Sequence, residues 1–204
     1  MSTPIQNIDP LGPAEDAAEM DKEISQAVAD YEEGRGYVER GEAALAAVSL
    51  HNALLGFEEE KNQEGIANAS NQLGHACLIR KEYDKALIHY QRAWDVCDSL
   101  DDAMSLLALA RQLVETRKGL GEYRQAIDLC LYLLDNYQKN NDPQGSVNTL
   151  ELMAEVYIDS GEHEKAADAY TTAASIHANF KHDSIAESFR RKAADLKKVK
   201  KEAE

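Results

Sequence analysis

The chain of 204 residues has only three cysteines, four prolines and one tryptophan, and it has no long apolar run. Three cysteines far apart in sequence do not make a disulfide framework, so the expectation is a reduced chain. With 11 glycines and so few prolines, collagen-like and Pro/Gly-rich low-complexity sequence is excluded. No stretch approaches the roughly 20 apolar residues of a membrane span. The amino terminus, MSTPIQNIDP, lacks both the basic region and the apolar stretch of a secretory signal. Positive charge is scarce too: 22 Lys and Arg stand against 37 Asp and Glu, a formal net charge of -15. A phosphate-binding surface needs concentrated positive charge, so no nucleic-acid partner is expected. Together these absences predict a soluble, cytoplasmic protein with no membrane partner.

What the sequence does contain is a repeat. Ala46, Ala86, Ala126 and Ala166 recur every 40 residues without drift. Leu50, Tyr90, Cys130 and Tyr170 follow four residues after each, and Ala53, Ala93, Leu133 and Ala173 seven after. Before each alanine lies a helix-breaking turn. Gly41, Gly121 and Gly161 hold its left-handed position, and Lys81 stands there in the second unit. Leu73/Gly74, Leu113/Val114 and Met153/Ala154 recur upstream in the same register. Between these marks the pattern is helical: Tyr83, Ala86, Leu87, Tyr90, Ala93, Trp94 and Cys97 form an i, i+3, i+4, i+7 stripe. Asp101-Asp102, Asp142 before Pro143, and Asp183-Ser184 suit helix N-termini. Each unit therefore reads as helix–turn–helix, and no segment reads as a strand.

The run Leu73-Gly74-His75-Ala76-Cys77, then Glu82-Tyr83-Asp84-Lys85-Ala86, then Tyr90 and Ala93 resembles the tetratricopeptide repeat. The resemblance covers residues 27–180 in four units. Its 40-residue spacing is similar to the longer repeats of polarity and receptor-clustering adaptors and of some bacterial regulators. It implies an all-α, right-handed superhelical solenoid of about four helix–turn–helix units with a C-terminal capping helix. Glu33 departs from the pattern at an apolar position and Arg117 at an aromatic one.

The ends differ from the array. Residues 1–13, with Pro4, Pro10 and Pro13, read as a flexible tail. An acidic first helix is expected from about Ala14, so the array spans 14–180. Residues 181–204 form a basic capping helix with eight Lys and Arg against five acids, its apolar stripe being Ile185, Phe189, Ala193, Leu196 and Val199.

No phosphate loop, His-Glu-x-x-His or Cys-x-x-Cys is present, so neither catalysis nor a cofactor nor a metal is expected. Cys77, Cys97 and Cys130 read as core cysteines, and His177 and His182 as surface histidines flanking a turn. Tyr83, Tyr90, Trp94, Tyr123 and Tyr170 fall at repeat packing positions.

The resemblance places the first helix of each pair on a concave surface. Its inward positions would be Asn68, Asn71, His75 and Leu78, then Ala108, Arg111, Glu115 and Lys118, then Asn148, Glu151, Glu155 and Ile158, with Asp159 beside them. Asparagines offer donor and acceptor to an extended backbone. Glu151, Glu155 and Asp159 form an acidic stripe suited to a neutral or basic segment, and Arg111 has Glu115 and Glu151 within reach as internal partners. The family's two-carboxylate clamp needs Lys and Arg where Asn71, Asn148 and Leu152 stand, so an acidic-tail ligand is not expected. The leading expectation is a non-enzymatic adaptor that binds a protein or peptide in this groove. The alternatives are a scaffold that self-assembles as a homo-oligomer through acidic first and basic last helices, and a sensor domain for a signalling peptide or small molecule.

Overall fold

The computed structural model describes residues 25–203, with side chains to residue 198. Its helices are α1 (Gln26–Glu39), α2 (Ala43–Glu59), α3 (Gln63–Ile79), α4 (Tyr83–Ser99), α5 (Ala103–Gly119), α6 (Tyr123–Lys139), α7 (Pro143–Asp159), α8 (His163–Asn179) and α9 (Asp183–Ala203). Successive helices pack on one another along the whole array, and α1 also meets α3. The fold is an all-α repeat solenoid, with no strand among the described residues. The expected acidic helix start at Ala14 falls outside the described residues; α1 opens on Ser25, whose hydroxyl accepts from the Val28 amide.

Within the 40-residue unit the helices recur at half that spacing. Each helix from α2 to α8 has 17 residues and each link has three, giving a helix every 20 residues. At every link one residue has positive φ: Gly41, Lys61, Lys81, Asp101, Gly121, Asn141, Gly161 and Lys181. All eight links close the same way. In one of them the Lys81 amide donates to the Leu78 carbonyl and the Glu82 amide to the Cys77 carbonyl, both at 2.9 Å. This is the Schellman arrangement, which satisfies carbonyls that the helix end would otherwise leave bare.

The residue that ends each link also starts the next helix. Before α3, α5 and α7 it is a true side-chain cap: Asn62, Asp102 and Asp142 accept from the amides of Gly65, Ser105 and Gly145. Before the even-numbered helices it is Glu42, Glu82, Glu122 or Glu162, none of which caps. These glutamates pair instead with Arg40, with Arg80 and Lys85, with Arg117, and with Lys165. Arg117, at its non-aromatic departure from the repeat, is thus half of an ion pair, and Glu33 accepts from the Ser49 hydroxyl at 2.8 Å.

Four alanines (Ala46, Ala86, Ala126 and Ala166) are fully buried at the crossing of each pair. Around them, large and small residues exchange places between units. Leu50 and Tyr90 lie against Gly34 and Gly74, where an added Cβ would come within 2.6 and 2.5 Å of the neighbouring side chain. Val114 shares its core with the smaller Cys130, and Ala154 shares its core with Tyr170. The same trade recurs at the links, where Phe57 faces Gly65 and Tyr137 faces Gly145. Interiors are packed to crystal density, so a ring on one helix requires a missing side chain on the other.

Three sequence expectations need correction. Ile185 is exposed and Ala186 takes its place in the α9 stripe with Phe189, Ala193 and Leu196; Val199 lies beyond the described side chains. His177 is not a surface residue: it is buried and stacked on Phe189, with rings 5.5 Å apart, while His182 is exposed. The reason is register, since His177 sits where Phe57 and Tyr137 sit in other units. Cys77 is half-buried rather than buried, because it packs at the edge of the Tyr90 core and not within it. Cys97, Cys130, Tyr90 and Tyr170 are buried, whereas Tyr83, Trp94 and Tyr123 are partly covered.

Candidate functional site

The odd-numbered helices share a face on which positions three and four apart line up. Two ion pairs run across it from helix to helix. Lys118 of α5 donates to Glu155 of α7 at 3.1 Å, and Lys192 of α9 donates to Glu151 of α7 at 3.1 Å. These contacts put Glu115, Lys118, Glu151, Glu155 and Lys192 on one surface. Lys118 also pairs with Glu115 at 3.0 Å, and its side chain is only 17% exposed. Burial alone would lower its pKa, but the hydrogen bonds it donates to Glu115 and Glu155, with the charges of the two carboxylates, outweigh that and raise it. Lys118 is therefore a cation at neutral pH.

Other expected groove residues turn away from a ligand or are already engaged. Arg111 pairs with neither Glu115 nor Glu151: it donates to the Tyr137 hydroxyl at 2.7 Å and lies over that ring. Gly145 makes this possible by letting the Tyr137 ring come close. His75 is half-buried, with its Nδ1 hydrogen-bonded to the Tyr90 hydroxyl at 3.1 Å. Burial lowers its pKa, so it stays neutral at pH 7. Asn148 accepts from Gln144 at 2.8 Å, which leaves its amide group outward.

Asn68 is exposed and Asn71 half-exposed on α3, and neither has a side-chain hydrogen bond among the described residues. Ala108 on α5 is exposed and adds no bulk. Asn68 borders a cleft of about 400 Å³ with Glu64, Ala67, Asp102 and Ser105. A second cleft of about 390 Å³ is lined by Leu78, Tyr83, Glu115, Lys118 and Asp159. The face thus has two halves: open amides on α3 beside the small Ala108 of α5, and a charge-knitted surface from α5 to α9. Ile158 is half-buried. Sequence reasoning missed Lys192 and Tyr137. Lys192 was legible in principle, since it is one residue past the 40-residue successor of Glu151.

The titratable groups offer no activated nucleophile among the described residues. Burial pushes the Cys130 thiol up to about 12 and raises Cys97 and Cys77 as well. No group of three or more His, Cys, Asp or Glu is arranged to hold a metal among the described residues.

No family model matches the chain. One curated relative, the Arabidopsis thaliana protein FLUORESCENT IN BLUE LIGHT, chloroplastic, is 28% identical over 114 residues, which is 56% of this chain. The matched stretch is 35% of that relative's length, so the chain spans about a third of it. Among solved structures, a Podosopora anserina protein of nearly identical TPR-like repeats, described as a kinesin light chain, superposes with a TM-score of 0.73 at 14% identity. It covers 88% of this chain and 91% of that one. The chain has the TPR-like fold. The apo form of RapI has the same TPR-like architecture, with a TM-score of 0.72 at 15% identity over 87% of this chain and 49% of its own. In this TPR-like solenoid no described helix is long and apolar enough to cross a membrane.

Proposed function

We propose that this TPR-like chain is a non-enzymatic protein-interaction module that holds a segment of a partner along the odd-helix face. The observation that carries the reading is the pair Asn68 and Asn71, unengaged beside exposed Ala108. Each asparagine supplies two donors and an acceptor, the complement of an extended backbone. The charge-knitted half narrows the ligand's chemistry. Glu151 and Glu155 already have Lys192 and Lys118 as partners, so the acidic stripe reduces to Asp159 and a shared Glu115. A neutral segment with at most an isolated cation near Asp159 fits best. We place the protein in the cytoplasm and its ligand among polypeptides, because the face has no row of unpaired cations for phosphate. The α9 cations Arg190, Arg191, Lys197 and Lys198 pair with Glu187, Asp168 and Asp195 of the same chain, so self-assembly through them is not favoured.

The test uses the partner that cross-linking mass spectrometry identifies on the full chain. Asn68→Ala with Asn71→Ala, folded by circular dichroism, is expected to weaken that complex about tenfold or more, each lost amide bond being worth roughly 1 kcal/mol. Ile88→Asp, on the exposed side of α4, should leave it unchanged. Equal affinity of the asparagine variant and the native chain overturns the reading.

A further inference from the structure

The 40-residue register leaves one junction between even-numbered helices unfilled. Between α4 and α6, Trp94 and Tyr132 meet edge to face with ring centroids 5.7 Å apart. Between α2 and α4 the same two positions are Leu54, which is buried, and Arg92, which reaches Glu58. Between α6 and α8 they are Leu134 and Thr172, and neither fills the space. What remains is a cleft of about 550 Å³ walled by Leu134, Tyr137, Leu150, Ile176 and Phe180. It opens to solvent: Phe180 is 55% exposed, and Leu131, one turn from Leu134, is 50% exposed.

We propose that this cleft is a second binding site, taking an uncharged aromatic side chain from a partner polypeptide. The ring pair in the preceding junction shows what the same backbone frame holds when it is full. Leu134 and Thr172 stand where the preceding junction has Trp94 and Tyr132, and the difference in volume is that of aromatic rings. Charge selects the same occupant. Among the lining side chains the one ionised group is Asp142, and its carboxylate accepts from the Gly145 amide at 2.8 Å as the cap of α7. An anionic ligand group would meet that carboxylate and find no cation among the lining side chains. An indole or phenol ring stacks on Tyr137 and Phe180, and its polar edge meets the amides of Gln138 and Asn141 at the rim. The site is separate from the odd-helix groove. Only Tyr137 touches both, through its hydroxyl to Arg111.

The probe is a blocked pentapeptide, acetyl-Ala-Ala-Trp-Ala-Ala-amide, titrated into the full methyl-labelled chain and read by NMR. Saturable shifts are expected at Leu134, Leu150 and Ile176, and none at the exposed Leu45, Val48 and Ile88. The same peptide with Glu in place of Trp should give no saturable shift. Leu134→Trp with Thr172→Tyr rebuilds the neighbouring ring pair, and should weaken peptide binding at least about tenfold while raising Tm. If that double variant does not fold, Thr172→Tyr alone closes the mouth and serves the same purpose. The proposal is overturned by no saturable shift in the native chain, by shifts spread equally to Leu45, Val48 and Ile88, or by undiminished binding in a folded closing variant. None of these outcomes bears on the asparagine groove, whose residues the variants leave untouched.

Discussion

Tyr90 occupies its hole because residue 74 has no side chain. An added Cβ would lie 2.5 Å from the ring, so Gly74→Ala must displace a fully buried tyrosine. Overpacking of this kind costs about 1–3 kcal/mol, and the expected result is a lower urea midpoint with an unchanged slope. The cost should shrink in a Tyr90→Cys background, which imitates the tolerated pair of Val114 and Cys130. A second prediction concerns protons. Burial lowers the pKa of His75; burial, followed by the charges of Arg92 and His51, lowers that of His89. Both folded values lie below the ordinary 6.5, so the unfolded chain protonates first as pH falls. Their stabilising effect is complete above about pH 6.5 and is lost as pH drops from there toward the folded values. The fall in Tm between pH 7.5 and 5.5 should therefore be smaller in His75→Gln/His89→Gln than in the native chain. Residue chemistry of this sort was only partly legible in sequence. The buried alanines could be read from their spacing, but His177 was misjudged because its partner Phe189 comes from the next helix. Arg111 was matched to carboxylates on its own face, because nothing local signals a tyrosine hydroxyl 26 residues away.

The helix links show why left-handed positions were read at four of eight links, while Asp101-Asp102, Asp142 and Asp183 were read only as helix N-termini. Gly41, Gly121 and Gly161 mark left-handed positions openly, whereas Lys61, Lys81, Asp101, Asn141 and Lys181 adopt the same φ without glycine. A side chain in that conformation costs roughly 1 kcal/mol. Lys81→Gly, matching the other units, is expected to raise stability by about 0.5–1 kcal/mol, and Gly121→Ala to lower it by about 1 kcal/mol. Equilibrium urea unfolding measures both. The closing helix makes a third case. α9 keeps the inward side of an odd-numbered helix through Ala186, Phe189 and Ala193, but puts Glu187 and Arg190 where α5 has buried Leu107 and Ala110. It can therefore cover α8 and end the stack. Phe189→Ala removes the ring against Tyr170 and His177 and should cost about 3 kcal/mol, with loss of the α8–α9 core before the rest of the array. The polar side of this helix was legible from its charges, and Phe189, Ala193 and Leu196 of its stripe from their spacing; only the start was misplaced, at Ile185 instead of Ala186.

At the scale of the whole molecule, the formal charge of -15 conceals a local arrangement in which most groove charges have partners. The repeat and the fold were readable from one sequence because a 40-residue period repeats the packing positions, and the same period is what suggested an odd-helix ladder. The division of that ladder into open amides and paired charges was not, because side-chain partners across helices depend on rotamers that no spacing encodes. Lys118 and Lys192 have one more consequence. Each ties one odd-numbered helix to the next across a solvent-facing surface, so the pitch of the array on that side is sprung by charge. On the other side, Arg92 ties α4 back to α2 through Glu58. Salt slackens such springs, since at about 1 M the screening length falls to about 3 Å. Raising ionic strength, or replacing Lys118 and Lys192 with Met, should lengthen the particle in small-angle X-ray scattering, while Arg92→Met should not. A dimension unmoved by both treatments would show that packing alone sets the pitch. If the length does change, this array is a ruler whose graduations depend on the electrolyte.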